Sequence, residues 1–350
     1  VWAAARSENL LHKADTPQVN ALQDRVVDWL APLWGMETGH LVPGGTIANL
    51  TALWAARDGA GATTIVTSEA ASVSVKKISR VLGMPLILID SDPDERINLD
   101  ALIDFARRDP AGMSRAVVVL TAGTQNTGAI DPLREAMKGL GNLGLAPAWW
   151  HVDASWAGPL AMSSRYRGLL KGVENADSVT VSTHKLMFQP TESALVLFRD
   201  AGRSDAVLEF AGPDNTTQIG LLGSRSDRSL AIALLLLAYG QDGVASWVEV
   251  GVGNMMTVAE ALHGRDDVEV FNSPNSGVLL WRPLLKNTDD VLERLGGKIA
   301  GLGLADGRHW VRQVGSNPIM DVDELIERIF AVLDDPEVEP APDPTRTAEM

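Results

Sequence analysis

No cysteine occurs among the 350 residues. That absence excludes disulfides, thiolate metal ligands and a cysteine nucleophile together. It fits a reducing compartment, and a cytoplasmic location is expected. Aromatic side chains are sparse at 5%, and the two tyrosines, Tyr166 and Tyr239, fall in helical patterns where they read as packing residues. Basic residues are outnumbered, 30 Lys and Arg against 45 Asp and Glu, for a formal net charge of −15. A nucleic-acid partner is therefore not expected. No apolar run approaches the roughly 20 residues that span a bilayer, so no membrane association is expected either. The opening Val1-Trp2-Ala3-Ala4-Ala5-Arg6-Ser7 lacks the basic and apolar regions of a secretion signal. It also lacks an initiating Met, and further residues are expected upstream.

What is present is an ordinary globular composition, 45% hydrophobic and 21% charged, in a chain long enough for two domains. Apolar, β-branched runs read as buried strands at 64–67, 85–89, 116–121, 149–153, 178–181 and 194–198. Helical spacing separates most of them, clearest at 49–57 and 73–82. Strand and helix in alternation predict an α/β fold with a mostly parallel sheet over residues 40–225, and ligands beyond the carboxyl ends of its strands. Helices at 230–239 and 252–262, strands at 277–281 and 310–314 and a last helix from the N-cap Asp321 predict a small α+β domain over 226–335. The Pro-rich, acidic residues 336–350 read as a disordered tail.

Three segments carry chemistry. Ser182-Thr183-His184-Lys185 follows a predicted strand, where a lysine facing a cleft loses solvent and becomes nucleophilic. Taken alone, Lys185 is also an ordinary surface lysine. Asp153 closes another apolar strand, and a carboxylate there needs a partner. A protonated pyridine nitrogen is one candidate, a salt bridge or helix cap another. Pro43-Gly44-Gly45-Thr46-Ile47-Ala48-Asn49 leads into a helix, so backbone N–H groups and the Thr46 hydroxyl can meet an anion, although a plain loop and cap looks the same. Taken in order, the three supply a phosphate cradle, a ring-nitrogen partner and a Schiff-base lysine. That combination points to pyridoxal 5′-phosphate.

The stretches Trp29-Leu30-Ala31-Pro32-Leu33, Gly44 to Leu50, Thr121-Ala122-Gly123-Thr124, His151 to Trp156, Gly172 to Ser178 and His184-Lys185 resemble the group II pyridoxal-dependent amino-acid decarboxylases, over roughly residues 7–335. The family includes glutamate, aromatic amino-acid and diaminobutyrate decarboxylases. The resemblance implies the aspartate-aminotransferase-like fold (fold type I) and an obligate homodimer with active sites at the interface, residues 1–39 wrapping the partner. It implies that Lys185 holds the cofactor and Asp153 pairs with its ring nitrogen. Gly45 and Thr46 would hold the phosphate, helped by Ser182 and His184, with Ser155 against one ring face. Ser224, in Gly223-Ser224-Arg225, would reach a phosphate across the interface.

Four departures from the family pattern stand beside these matches. Ser72 occupies the place of a histidine that stacks on the cofactor ring, and serine can donate a hydrogen bond but cannot stack. Gln125 replaces the second of two threonines near the ring oxygen or carboxylate. No tyrosine occurs in Phe210 to Thr216, where a mobile loop normally supplies one. Leu186 follows the lysine where Trp is common. The leading expectation is decarboxylation of an L-amino acid through a Lys185 Schiff base. The alternatives are decarboxylation-dependent oxidative deamination to an aldehyde, carbon–carbon lyase chemistry, and a catalytically inactive dimeric paralogue. Arg6, His12 and Arg225 lie in segments that could approach the substrate, each equally readable as a surface or interface residue.

Overall fold

The computed structural model describes residues 9–11, 15–211 and 216–341, with backbone only at 209–211 and 216–217. Arg6, His12 and residues 342–350 of the expected tail lie outside the described residues, as does the centre of the Phe210 to Thr216 loop. The large domain is built on seven strands: β1 (Thr38–Val42), β2 (Thr64–Ser68), β3 (Leu86–Ile89), β4 (Ala116–Thr121), β5 (Trp149–Asp153), β6 (Ser178–Val181) and β7 (Ala194–Phe198). Their order is β1-β7-β6-β5-β4-β2-β3. Strands β3, β2, β4, β5 and β6 run parallel, while β7 lies antiparallel to both β6 and β1. The sheet is thus mostly parallel, as the alternating pattern predicts. Strand β1 escapes the pattern because Thr38-Gly39-His40 is neither apolar nor β-branched enough to read as buried.

Every residue of β4 and β5 is buried, because helices cover both faces of the sheet. Alternate side chains enter opposite cores: Val118 and Leu120 point to one, Val117 and Val119 to the other. Helices α1 (Pro17–Leu30), α4 (Leu99–Arg108) and α5 (Leu133–Asn142) fill the first core, while α2 (Gly44–Ala60) and α3 (Val73–Leu82) fill the second. Val26, Val27, Leu30 and Trp34 therefore pack within their own protomer, and the Trp34 indole donates to Gly158 O at 3.0 Å.

A hairpin of β8 (Leu208–Ala211) and β9 (Thr216–Ile219) leads to α6 (Ser229–His263), one 35-residue element interrupted at Gly240 (φ 66, ψ 178). Its two parts contain the helices expected at 230–239 and 252–262, the first ending where Gly240 leaves helical geometry. Its first part, to Val252, belongs to the large-domain core, and from Met255 onward it belongs to the small one. The domain boundary expected at 225/226 is therefore displaced into α6. By length and composition alone α6 is also apolar enough to cross a membrane. Ile232, Leu236, Val244 and Val248 are buried in the protein core, whereas Leu234 and Leu237 are 53% and 77% exposed.

The small domain sets a four-stranded antiparallel sheet, β10 (Val268–Val270), β11 (Val278–Pro283), β13 (Arg308–Val314) and β12 (Gly301–Ala305) in that order, beside α7 (Thr288–Leu295) and α8 (Val322–Asp334). Asp321 caps α8 by accepting from the amides of Asp323 and Glu324, as its position predicts. The tail does not begin at 336. Val338 is buried in the small-domain core, Asn287 N donates to Glu339 O, and Ala341 N donates to Leu285 O. Arg294 adds an ion pair to Asp335 and a hydrogen bond to Glu337 O, so residues 335–341 are seated by polar contacts as well as by Val338. Tyr166 is buried in a turn rather than a helix, and Tyr239 is exposed on α6.

Candidate active site

The carboxyl ends of β2, β4, β5 and β6 lie at one edge of the sheet, and the register of β1 on β7 brings Val42 to that edge too. Each chemistry-bearing segment leaves the sheet there. A cleft of about 560 Å³ is lined by Gly45, Thr46, Ser72, Gln125, Asp153, Ser155, Ser182, His184 and Lys185. These are all the site residues expected from the sequence except Ser224, whose hydroxyl accepts from Asn9 Nδ2 at 3.1 Å outside the cleft. Arg225 does not line it either; it is buried and donates to Gly223 O. A larger groove of about 680 Å³, lined by Trp34, Lys171, Glu174 and Glu249 among others, contains none of the expected residues.

Helix α2 starts at Gly44, so its first amides have no intrahelical acceptor and face the cleft entrance as an anion site. A Cβ on Gly45 would stand 2.6 Å from Ser155 Oγ and 2.8 Å from Ser182 Oγ, so no larger residue fits without displacing them. Those two hydroxyls and Thr121 Oγ1 are buried with no hydrogen-bond partner among the described residues. Orphaned polar atoms of this kind cost about 1–3 kcal/mol each unless a ligand takes them up. His184 is anchored by Ser193, with Nδ1 2.6 Å from its carbonyl oxygen. Across the cleft Gly123 (φ 97) lies against Trp156, where a Cβ would come within 2.8 Å of the indole.

Asp153 is 4% exposed and forms no ion pair among the described residues. Neutral donors hold it instead: Asn49 Nδ2 at 2.8 Å from Oδ2 and the Ser155 amide at 3.0 Å from Oδ1. Behind it, His151 is fully buried and pushed down to about 4 by desolvation, against the pull of Asp153, and is therefore neutral. A buried carboxylate left with neutral partners is a receptor for a cation. Lys185 has its pKa lowered, first by burial and then by Arg312, with Asp153 opposing. A larger share of neutral, nucleophilic amine results.

Arg312 was not anticipated. It projects from β13 of the small domain into the cleft, donates to Asn126 O at 3.2 Å, and is itself lowered by burial. The cleft is therefore an interdomain one. The only trace in the sequence is an arginine between the buried Val311 and Gln313 of an apolar strand, where a charge needs a reason. Asn49 was quoted as part of a motif, but its contact with Asp153 was not foreseen.

The residues present fit pyridoxal 5′-phosphate: an anion-binding helix start with room enforced by Gly45, orphaned hydroxyls beside it, a buried carboxylate without a cation, and a desolvated lysine. Comparisons with known proteins agree. The model of the pyridoxal-dependent decarboxylase conserved domain matches residues 2–282. An L-2,4-diaminobutyrate decarboxylase of Rhizobium meliloti is 31% identical over 306 residues, covering 81% of this chain and 61% of that protein. An aspartate 1-decarboxylase of Aliivibrio fischeri is 29% identical, covering 73% and 52%. The chain thus spans between half and two thirds of the length of these two relatives. A Catharanthus roseus tryptophan decarboxylase has the same fold, with a TM-score of 0.82 at 20% identity, over 95% of this chain and 80% of that one. Fold, cleft and the match over most of the chain lead to one assignment: the chain belongs to the pyridoxal-dependent decarboxylase family, whose cofactor is pyridoxal 5′-phosphate.

Proposed function

We propose that this protein decarboxylates an L-amino acid, with its cofactor held as a Schiff base on Lys185. The observation that carries the reading is the convergence of Lys185 and Asp153 on one cleft at the start of α2. Bound there, the cofactor would supply an aldehyde that condenses with an amine and a ring that takes up the electron pair released when CO₂ departs.

The chain's own residues divide the remaining work. Asp153 holds a proton on the ring nitrogen. The Gly45 and Thr46 amides hold the phosphate with the Ser182 and His184 side chains. Ser155 would lie beside the ring, and Gln125 lines the same cleft. Arg312, a half-buried guanidinium, would bind a substrate carboxylate, whose position would decide which bond at Cα is broken. Lys185 would be the acid at hand in the cleft to return a proton to Cα.

Incubating the cofactor-loaded protein in air with a panel of L-amino acids tests this, and 2,4-diaminobutyrate and aspartate come first because the two relatives carry those names. Mass spectrometry is expected to find the amine formed by loss of CO₂. Aldehyde products would instead support oxidative deamination, the reading favoured by Ser72 in place of a ring-stacking histidine. Unchanged amino acids throughout would sink both and leave an inactive paralogue.

The same reading includes a homodimer. Leu234 and Leu237, three residues apart on α6, present one apolar face to solvent in the single protomer. Burying a leucine gains about 1.5–3 kcal/mol, and two-fold symmetry doubles the count. A Leu234→Asp, Leu237→Asp double variant is expected to elute as a monomer in light-scattering chromatography while the parent elutes as a dimer. An unchanged dimeric mass would place the interface elsewhere.

A further inference from the structure

We infer that Asn272 and Ser276 are positioning residues for the substrate side of the cleft. They fasten the loop that carries Gln125 to the domain that carries Arg312, and the inference rests on the reading of the cleft proposed above.

The loop leaves β4 at Ala122 and returns at Ile130, where the two residues bridge antiparallel. Its own bonds close a tight hairpin. The Gly123 and Thr124 amides donate to Ala129 O, the Gly128 amide donates to Thr124 O, and the Thr124 and Thr127 hydroxyls meet at 2.8 Å. Three successive carbonyl oxygens at the tip, those of Asn126, Thr127 and Gly128, turn to the small domain. Each accepts from a different side chain there: Arg312 Nε at 3.2 Å, Asn272 Nδ2 at 2.9 Å and Ser276 Oγ at 2.7 Å. A hairpin rooted in one domain therefore has its tip fastened to the other.

Neither residue has slack. Asn272 Nδ2 gives its second hydrogen to Val278 O at 2.9 Å, and Oδ1 accepts from the Leu280 amide at 3.0 Å. Only one orientation of the side-chain amide satisfies all three partners. Ser276 is buried; its hydroxyl holds Gly128 O while its own carbonyl accepts from the Trp156 indole at 2.8 Å. Trp156 lines the cleft and packs on Gly123 at the root of the loop, so Ser276 grips the loop at tip and root. A Cβ on Gly128 (φ 71) would run into Ser276 Oγ and Val278, so this approach of the two domains requires glycine. Gln125 is exposed on the cleft, next in sequence to the three fastened carbonyls. Without the fastening, Gln125 would follow the large domain while Arg312 follows the small one.

The absence of cysteine allows the geometry to be read directly. Spin labels on Gln125→Cys and on Glu293→Cys, an exposed position of α7, report the distance from loop to small domain by pulsed electron paramagnetic resonance. The distribution is expected to be narrow in the cofactor-loaded parent and to broaden in Ser276→Ala and in Asn272→Ala. Asp321→Ala, which removes the cap of α8 in the same domain, is expected to leave it narrow. In unlabelled protein, aminooxyacetate and methoxyamine both condense with the cofactor aldehyde, and only the first carries a carboxylate for Arg312. The ratio of their rate constants is expected to fall about tenfold in the Ser276→Ala, Asn272→Ala double variant, the cost of a displaced binding group, with methoxyamine unchanged. A distribution that stays narrow in both single variants, or that broadens as much in Asp321→Ala, overturns the inference. So does broadening without a fall in the ratio. Parent protein that reacts with neither probe, or equally with both, overturns the reading of the cleft itself, a distinct failure seen before any variant is made.

Discussion

Replacing Lys185 with alanine is expected to lower amino-acid turnover by about 10³-fold or more, because in the proposed reading one side chain both holds the cofactor and returns the proton. Two features of the structure set the size of the effect. Burial lowers the Lys185 pKa, so the amine is available as a nucleophile, and no other lysine lines the cleft among the described residues. Cofactor added to the alanine variant is expected to bind through the phosphate cradle without the absorbance of a lysine Schiff base, and borohydride is expected to leave no label at residue 185. Residual turnover near the wild-type rate would show that another amine carries the reaction.

Asp153→Asn is the second large effect. Both carboxylate oxygens accept hydrogen bonds, from Asn49 Nδ2 and from the Ser155 amide. An asparagine offers one acceptor, so its own NH₂ must face one of those two donors. Losing a charge-assisted hydrogen bond costs about 1.5–3 kcal/mol, and leaving a buried donor unpaired costs about 1–3 kcal/mol more. With the ring-nitrogen partner lost as well, kcat/KM is expected to fall by about 10²–10⁴-fold while the protein still folds. Asp153 also opposes the lowering of the Lys185 pKa. Its replacement is therefore expected to move the Lys185 titration in the cofactor-free protein further down, read from the pH dependence of its reaction with an aldehyde. A fall in turnover without that downward movement would mean that Asp153 and Lys185 do not share the site.

The residues that could be read in advance share a physical reason. Gly45, Thr46, Asp153, Ser155, Ser182, His184 and Lys185 stand in contiguous motifs directly beyond apolar strands, and a parallel sheet gathers the carboxyl ends of its strands at one edge. Ser72 and Gln125 were visible as departures within such motifs. Arg312 was not, because it comes from the small domain, more than a hundred residues beyond Lys185, and only the packing of the two domains carries it to the cleft. The antiparallel placement of β7 and the strand β1 beside it were likewise hidden. Strand direction leaves no mark on local hydrophobic spacing.

From the sequence alone came the α/β architecture, the cofactor class and the order of the three motifs, because these rest on local periodicity and on side-chain chemistry at strand ends. Tertiary structure decided which groups meet: that Asn49 rather than a cation holds Asp153, that His151 is buried and neutral behind it, that Arg312 closes the cleft, and that Asn272 and Ser276 hold the loop of Gln125. The direction of a hydrogen bond depends on every partner around it, and those partners are brought together only when distant segments fold against one another.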